Sequence, residues 1–357
     1  MRITLLIDSL GTGGAQRQMA NLAVELKRHG HQVCLIRYHL DDFYMPLLEK
    51  EDVELFFAVA KNPIVRALKI RKMIGVSKPQ VVISFMDSPN FYASLASIGQ
   101  KWRLIIGERI CNPRRFTSRQ GKVMKWIMAK FADVICCNSQ SAADLWEKYH
   151  PEVKGKLSTI YNIVEQPNSS ATRQTDGKIR FVVAARVERE KNLTGLIQAV
   201  ASLSEAEKEV IEFHWYGRPQ PGEDLLERSN EMIEEFSLKK QIIIHPPTDR
   251  IHDEMAKADF VSLFSFMEGL PNAILEGMAL KKPIVMSKVS DYAVLVNEEN
   301  GFLCEPDDPT DIAKALRSAL STTSEQRLEM GKRSYEKLQS VCSKDVIVCK
   351  WLELIES

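Results

Sequence analysis

Two carboxylates in the second half of the chain have a spacing that suits a sugar phosphate. Glu268 and Glu276 are separated by seven residues, and Gly269, Pro271 and Asn272 lie between them. Pro271 suits a first helical turn and Asn272 can cap one, which predicts a helix whose N-terminal amides face a phosphate. Glu268 before this helix and Glu276 one turn inside it can then accept hydrogen bonds from sugar hydroxyls. The alternative is that Glu276 is an exposed residue on the helix surface.

Two cations form a second candidate group. Arg186 and Lys191 stand five positions apart, directly after an apolar run, in the segment ARVEREK. Arginine presents a planar fork and lysine a point charge, so on a loop that enters a helix the two can converge on a diphosphate. The alternative is that both belong to the solvated surface.

A glycine-rich turn follows the first apolar run of the chain. Gly11, Gly13 and Gly14 would let the backbone approach a ligand, and the amides of the helix behind them favour an anion. The dinucleotide-binding fingerprint needs a third glycine where this chain has Gln16, so the pattern argues against a nicotinamide cofactor. A tight turn without a ligand is the alternative.

Short apolar runs alternate with helical patterns, which predicts an α/β fold with parallel sheets. The first run, 4–7, shows little polar alternation, as expected for a strand buried on both faces of a parallel sheet. We expect strands in the first half at 4–7, 33–36, 81–85, 104–106 and 134–137. We expect strands in the second half at 179–185, 211–216, 241–244, 260–264 and 283–286.

The strand and helix pattern starts a second time after residues 166–177 (QPNSSATRQTDG), a stretch without apolar periodicity that is rich in turn residues. Helices are expected at 193–203 and 225–236, and further helices from about 324 to 357 complete the chain. Two tandem α/β domains are therefore predicted. Ligands of such sheets bind outside the carboxyl ends of the strands.

Composition and charge narrow the function classes. The 357 residues are 45% apolar and 27% charged, which excludes a disordered chain and a disulfide scaffold. The longest uncharged stretches have 13 residues, too few to span a membrane, and the N-terminus turns acidic too early for a secretory signal. Seven Cys without a Cys-x-x-Cys pair indicate reduced thiols in a cytoplasmic protein.

The net charge of +1 hides an asymmetry between the halves. Residues 1–165 carry 24 Lys+Arg and 15 Asp+Glu, and residues 166–357 carry 24 and 32. Two stretches of the first half, 62–78 and 114–130, mix cations with apolar and aromatic residues. Such stretches can lie on an anionic membrane surface. The alternative is ordinary helices with solvated Lys and Arg, and no motif supports nucleic acid as a partner.

Several segments, in the right order, carry a family resemblance. The stretch EGLPNAILEGMALKKPIV from Glu268 onward resembles the Glu-x7-Glu motif of retaining glycosyltransferases of family 4, which have the GT-B fold. LIDSLGTGGAQRQMANLAVELKRHGHQV is similar to the glycine loop and first helix of that family. NSQSAADLW, RVEREKNLTGLIQAV and NGFLCEPDDPTDIAKAL resemble three further segments.

The resemblance implies roles for single residues. Arg186 and Lys191 match the diphosphate ligands, Glu268 the carboxylate near the transferred sugar, and Glu276 the one that holds the ribose. The remaining donor contacts implied are Gly13, Gly14, His245, Pro246, Gly269, Leu270 and Asn272. Gly13 and Gly14 match the loop that closes over the phosphate. His245 and Pro246 match the loop that recognises the base.

The implied chemistry is substitution on the front face with retention at the anomeric carbon. The leaving phosphate takes the acceptor proton, so Arg186, Lys191 and the helix amides must stabilise charge on the diphosphate. Many relatives have a catalytic His where this chain has Arg109, and Asp87 is a second candidate on the acceptor side, with a helix N-cap as its alternative role. No Asp-x-Asp motif stands at a strand end, so neither a metal nor another cofactor is expected.

We therefore predict a GT-B fold, with two Rossmann-like domains facing across a cleft. An acceptor domain, 1–165, is completed by about 341–357, a helix that crosses back, and 166–340 forms the donor domain. The predicted function is transfer of a hexose or N-acetylhexosamine, most simply from a UDP-sugar, to a lipid-linked oligosaccharide or lipopolysaccharide intermediate. The predicted location is the cytoplasmic face of the inner membrane. A nucleotide-sugar epimerase and a non-catalytic partner subunit are the alternatives.

Overall fold

A computed structural model describes residues 1–167, 169, 171–172 and 176–357. These residues form two compact units, one of Met1–Ile163 with Lys344–Ser357 and one of Val164–Ser343. Of the predicted boundary segment 166–177, residues 168, 170 and 173–175 lie outside the described residues.

The first unit, all of whose residues are described, is built on a seven-stranded parallel sheet. Its strand order is β3-β2-β1-β4-β5-β6-β7. Apolar side chains of β1 and β4 lie on both faces and are fully enclosed, which explains the continuous apolar runs. The strands are β1 Arg2–Leu6, β2 Gln32–Arg37, β3 Glu54–Phe57, β4 Val81–Phe85, β5 Arg103–Glu108, β6 Val134–Cys137 and β7 Leu157–Thr159.

Helices cover both faces of this sheet, and the last helix of the chain is one of them. They are α1 Gly14–Arg28, α2 Met45–Lys50, α3 Pro63–Ser77, α4 Asp87–Ser97, α5 Arg114–Thr117, α6 Arg119–Phe131, α7 Gln140–Tyr149 and α16 Lys344–Glu356, with a 3₁₀ turn at Pro151–Lys156. On α16, Trp351 packs against Phe85 and Lys344 forms an ion pair with Glu25 at 2.8 Å. The predicted return of the C-terminal helix to the first unit is thereby confirmed.

The second unit has a parallel sheet in the order β10-β9-β8-β11-β12-β13 within its described residues. Its strands are β8 Ile179–Ala184, β9 Ile211–Tyr216, β10 Ile242–His245, β11 Phe260–Leu263, β12 Ile284–Ser287 and β13 Gly301–Cys304. Its helices are α8 Leu193–Ala201, α9 Glu205–Val210, α10 Leu225–Glu235, α11 Ile251–Lys257, α12 Asn272–Ala279, α13 Tyr292–Leu295, α14 Pro309–Leu320 and α15 Ser324–Cys342, with a 3₁₀ turn at Arg189–Lys191.

Three strands of the structure were not predicted from the sequence, and one helix starts at a residue other than the predicted one. β3 is only half-buried, β7 has three residues and β13 begins with Gly301, so none of them forms a clear apolar run. Pro271 is the N-cap residue of α12 and Asn272 is its first helical residue. The prediction that Asn272 caps this helix was therefore wrong.

All candidate residues except Glu276 lie on or beside loops at the carboxyl ends of parallel strands. In the first unit these loops follow β1, β4 and β5, and in the second unit they follow β8, β10 and β11. Among the described residues, no helix reaches the length and apolarity that a membrane span requires.

Candidate functional site

The loops after β8 and β11 meet in the second unit and bring two candidate residues into contact. The backbone amide of Phe266 donates to the carbonyl of Glu190 at 2.8 Å, which ties the two loops together. Lys191 Nζ lies 2.6 Å from Glu268 Oε1, and Ser265 Oγ donates to the same oxygen at 2.7 Å. The cation predicted for the diphosphate and the carboxylate predicted for the sugar therefore form one half-buried ion pair, which the spacing alone could not predict.

Arg186 lies on the same strand-end loop as Lys191 but has other partners. Its Nη2 is 3.0 Å from Glu188 Oε2, and its Nη1 donates to Gln220 Oε1 at 2.8 Å. Its side chain is 51% exposed, so the guanidinium can reach a ligand from solvent. Burial raises the pKa of Glu188, against the opposing charges of Arg186 and Lys191. Both candidate cations thus carry a carboxylate partner that an incoming diphosphate would have to replace.

Glu276 is buried, so the alternative of a surface residue is wrong. The helix α12 packs closely on β11, because a Cβ added at Gly277 would lie 2.7 Å from the Cβ of Val261. On its other side, Glu276 Oε2 lies 3.0 Å from Nε2 of His252 on α11. The sequence analysis missed His252, since α11 has only seven residues and gave no periodic signal.

Contacts within the second unit fix the loop between Glu268 and Glu276. Leu270 is buried, and the hydroxyl of Ser290 donates to the carbonyl of Gly269. The N-terminal amides of α12, which begins at Asn272, carry partial positive charge toward this loop. The arrangement can therefore receive an anion beside Glu268.

His245 ends β10 and belongs to a stack of flat side chains. Its ring centroid lies 4.4 Å from that of Tyr216 at an interplanar angle of 12°, and its Nε2 is 2.9 Å from His214 Nδ1. Burial, followed by the charge of His214, lowers the pKa of His245. The neighbouring Pro246 is exposed. This edge presents planar surfaces against which a nucleobase can stack.

In the first unit, the glycine turn leads directly into α1. Gly13 is the N-cap residue and Gly14 the first helical residue. Gln16 occupies the place of the third glycine, and its Nε2 donates to Asp8 Oδ1 at 2.9 Å. A Cβ at Gly13 would meet only the flexible end of the Gln16 side chain, and the backbone of Gly13 is extended, so the fold itself does not require glycine at this position.

Asp87 is the first helical residue of α4, and Met86 is the N-cap, so the alternative N-cap role for Asp87 was wrong. Its carboxylate contacts Arg115 and lies 2.7 Å from Nζ of Lys125. Burial alone would raise the pKa of Asp87, but these two cations outweigh it and leave the pKa lowered. A carboxylate with a lowered pKa is a weak general base, which favours a binding role for Asp87.

Lys125 is neither at a membrane surface nor solvated, so it fits neither interpretation of the basic stretch 114–130. Its side chain is 2% exposed and forms ion pairs with Asp87 and with Glu108 at the end of β5. Trp146 donates from Nε1 to Glu108 Oε2 at 3.1 Å. A cavity of about 160 Å³ adjoins this cluster. Its lining residues are Asp87, Arg115, Ser118, Gln120, Gly121, Met124 and Lys125.

Arg109 follows β5 directly and points away from this cluster. Its guanidinium carbon lies 3.5 Å from the centroid of the Phe85 ring and 5.8 Å from that of Trp351 on α16. Its Nη1 is 3.4 Å from Asn162 Oδ1. Asp87 and Arg109, both predicted for the acceptor side, therefore have different contact partners in the structure.

Across the described ranges, no group of three or more His, Cys, Asp or Glu side chains is arranged to hold a metal ion. The expectation that the reaction needs no metal remains a prediction.

Comparisons with known proteins place the chain among glycosyltransferases. The model for "Glycosyltransferase Family 4" matches residues 12–166, and that for "Glycosyl transferases group 1" matches residues 165–337. The chain is 24% identical over 334 residues to a Campylobacter jejuni GalNAc-alpha-(1->4)-GalNAc-alpha-(1->3)-diNAcBac-PP-undecaprenol alpha-1,4-N-acetyl-D-galactosaminyltransferase, covering 90% of this chain and 89% of the relative. It is 26% identical over 340 residues to the N-acetylgalactosamine-N,N'-diacetylbacillosaminyl-diphospho-undecaprenol 4-alpha-N-acetylgalactosaminyltransferase of the same organism, covering 89% and 90%.

The fold has close counterparts among solved structures. The crystal structure of Anabaena HepE in complex with UDP and glucose superposes with a TM-score of 0.87 at 17% identity, over 100% of this chain and 99% of that one. The predicted class of fold, two Rossmann-like domains of the GT-B type, is thereby confirmed.

Proposed function

Because the chain belongs to the glycosyltransferases of group 1 and family 4, and so uses a nucleotide sugar, we propose that its donor is a UDP-sugar and that it retains the anomeric configuration. The transferred residue is a hexose or an N-acetylhexosamine. The acceptor is a lipid-linked oligosaccharide or a lipopolysaccharide intermediate at the cytoplasmic face of the membrane. The C. jejuni relatives are named for undecaprenol-linked acceptors, which supports this acceptor class.

The observation that carries the proposal is the half-buried contact of Lys191 with Glu268. It joins a cation suited to a diphosphate and a carboxylate suited to sugar hydroxyls at one strand-end loop. Arg186 approaches from the same loop as Lys191, and Glu276 lies buried against His252 for the ribose. Arg186, Lys191 and the amides of α12 would stabilise the charge that develops on the leaving diphosphate.

Retention follows from front-face chemistry. In that reaction the bond from the anomeric carbon to the diphosphate oxygen breaks, the acceptor oxygen bonds to the same face, and the leaving phosphate oxygen takes the acceptor proton. No protein base is needed, which agrees with the lowered pKa of Asp87. The relatives' names specify alpha linkages, which an α-linked UDP-sugar yields by retention.

The first test measures nucleotide binding through the melting temperature of the protein in the presence of UDP, GDP, ADP or NAD. A ligand at about 100 times its dissociation constant adds about 2.7 kcal/mol of stability. We expect UDP to raise the melting temperature of the wild type and not of Arg186→Ala/Lys191→Ala. The matched control is Lys332→Ala/Arg333→Ala, which removes the same charge from exposed ion pairs on α15. A shift with NAD alone would contradict the proposal.

The second test identifies the product. With UDP-sugar and a lipid-linked acceptor, proton NMR should give an α-anomer, whereas a β-anomer would refute retention. Incubation with the donor alone should leave the sugar unchanged. Conversion to its epimer would instead identify the epimerase that the sequence analysis left open.

The membrane surface that we propose lies on the first unit. The helix α4 packs between α3 and α6, and both outer helices expose large apolar side chains beside their lysines. Ile64 is 71% and Leu68 63% exposed on α3, and Trp126 is 54% exposed on α6. Lys69 and Lys72 on α3 add positive charge near these side chains. An apolar patch with basic neighbours suits an anionic bilayer.

We predict that Ile64→Asn/Leu68→Asn weakens binding to anionic vesicles about tenfold or more, because two apolar side chains no longer enter the bilayer. The measurement is sedimentation with phosphatidylglycerol vesicles at fixed salt. Leu328→Asn is the control, since Leu328 is 64% exposed on the second unit. Equal binding by the double variant and the wild type would contradict the proposed surface.

A further inference from the structure

Arg109 carries a charge whose surroundings do not balance it. The guanidinium lies over the Phe85 ring, and Trp351 flanks it at a greater distance. No carboxylate among the described residues forms an ion pair with it, and its Nε has no hydrogen-bond acceptor. Its Nη1 has only the long contact of 3.4 Å with Asn162. Burial lowers the pKa of Arg109 to about 10, so it stays protonated at neutral pH.

The cations that are fully buried among the described residues are paired with carboxylates, as is usual for buried charges. In the first unit, Arg37 lies 2.7 Å from Asp42, and Lys125 contacts two carboxylates. In the second unit, Arg327 lies 3.1 Å from Asp259. Arg109 is half-buried and has no such carboxylate, and a polar side chain whose enclosed Nε lacks an acceptor requires an explanation, of which a bound ligand is one.

The position of Arg109 agrees with a ligand contact. It is the first residue beyond β5, at the carboxyl edge of the parallel sheet where ligands of α/β folds bind. The aromatic rings hold the guanidinium plane in place and exclude water from one face. A fixed guanidinium fork binds two oxygens of a phosphate or a carboxylate at once.

We propose that Arg109 binds an oxyanion of the substrate. This inference rests on the proposed function, which supplies two sources of that chemistry: the diphosphate of a lipid-linked acceptor or the carboxylate of an acidic sugar. A neutral acceptor group would leave the charge unbalanced. Arg109 therefore selects an anionic substrate.

The test uses Arg109→Met in the full chain, because methionine keeps the packing on Phe85 and removes the charge. Calorimetry measures binding of inorganic pyrophosphate, glucuronate and glucose, with UDP saturating the second unit. We expect the wild type to bind one of the two anions and not glucose, and Arg109→Met to bind it at least tenfold more weakly. Arg71→Met is the control, since Arg71 contacts only the carbonyls of Ala96 and Ile98.

The binding results distinguish the two sources of the oxyanion. They also separate this inference from the proposed function. Binding of pyrophosphate indicates the diphosphate, and binding of glucuronate alone indicates an acidic sugar. Binding of neither anion, or equal binding by wild type and Arg109→Met, would overturn the role of Arg109. A wild type that binds the anion but not UDP would instead contradict the proposed function and leave this inference standing.

A stability measurement excludes a merely structural role. If Arg109 is kept for a ligand, Arg109→Met removes an unbalanced charge, and the melting temperature without ligand should stay equal or rise by about 2–4 °C. If Arg109 only supports the fold, the melting temperature falls and anion binding stays unchanged. That second result would overturn the proposal.

Discussion

Replacing Glu268 with glutamine is expected to lower the transfer rate by about 10²–10³-fold, the usual effect of one lost group at a charge-stabilising site. Glutamine has the same shape, and its amide oxygen can still accept from Lys191 and Ser265, but the side chain is neutral and its NH2 group cannot accept a hydrogen bond from a sugar hydroxyl. The sugar hydroxyls would lose their charged acceptor in the transition state. The measurement is transfer from the UDP-sugar to a lipid-linked acceptor, with the melting temperature as the check on folding.

The same variant should bind UDP as tightly as the wild type or more tightly. In the wild type, the diphosphate must take Lys191 from its 2.6 Å contact with Glu268, and the amide of glutamine offers no competing charge. Rate and affinity therefore move in opposite directions, which general damage to the site does not produce. Glu305→Gln is the control, because it neutralises a similar carboxylate that pairs with Lys288 on the surface. Full transfer activity in Glu268→Gln would contradict the assigned role.

The sequence could predict the elements whose pattern is local. The strands β4 and β6 have the predicted bounds, because a short apolar run of this kind is a strong signal for a strand buried on both faces. β3 gave no such signal, since its position at the sheet edge leaves it half-buried. The missed elements are thus the ones whose burial depends on neighbours far along the chain.

The candidate site likewise contains features that could be predicted from the sequence and contacts that could not. The spacing of Glu268 and Glu276 and the pair Arg186 and Lys191 could be read from the sequence, because they flank strands and helices with clear patterns. The contact of Lys191 with Glu268 joins residues 77 positions apart, and that of His252 with Glu276 joins residues 24 apart. Such pairings depend on the order of strands in the sheet, which composition and periodicity do not specify.

Lys125 is the clearest case of a residue whose type predicted an exposed position and whose position in the structure is buried. Among six cations between 114 and 130, nothing local separates it from the others, and lysine is rarely buried. The structure encloses it because α6 packs over the carboxyl ends of β4 and β5, where Asp87 and Glu108 lie. A basic stretch in sequence can therefore contain both a surface and an internal ion-pair cluster.

The largest stability effect is expected for Lys125→Met, which should lower the free energy of unfolding by about 3–5 kcal/mol. Burial alone would lower the pKa of Lys125, but Glu108 and Asp87 outweigh it and raise the pKa, so the ammonium is charged in the folded protein. Its loss leaves the Glu108 carboxylate, 3% exposed, without a cation. The measurement is urea unfolding, with Lys122→Met on the exposed face of α6 as the control, expected within about 0.5 kcal/mol of the wild type.

The double variant Lys125→Met/Glu108→Gln identifies the cause. If the cost comes from an uncompensated carboxylate, neutralising Glu108 should recover more than half of the lost stability, because Asp87 keeps its contact with Arg115. If the cost came only from packing around the lysine chain, the second substitution would restore nothing. A single variant as stable as Lys122→Met would contradict both explanations and place the stability of the first unit in its apolar core alone.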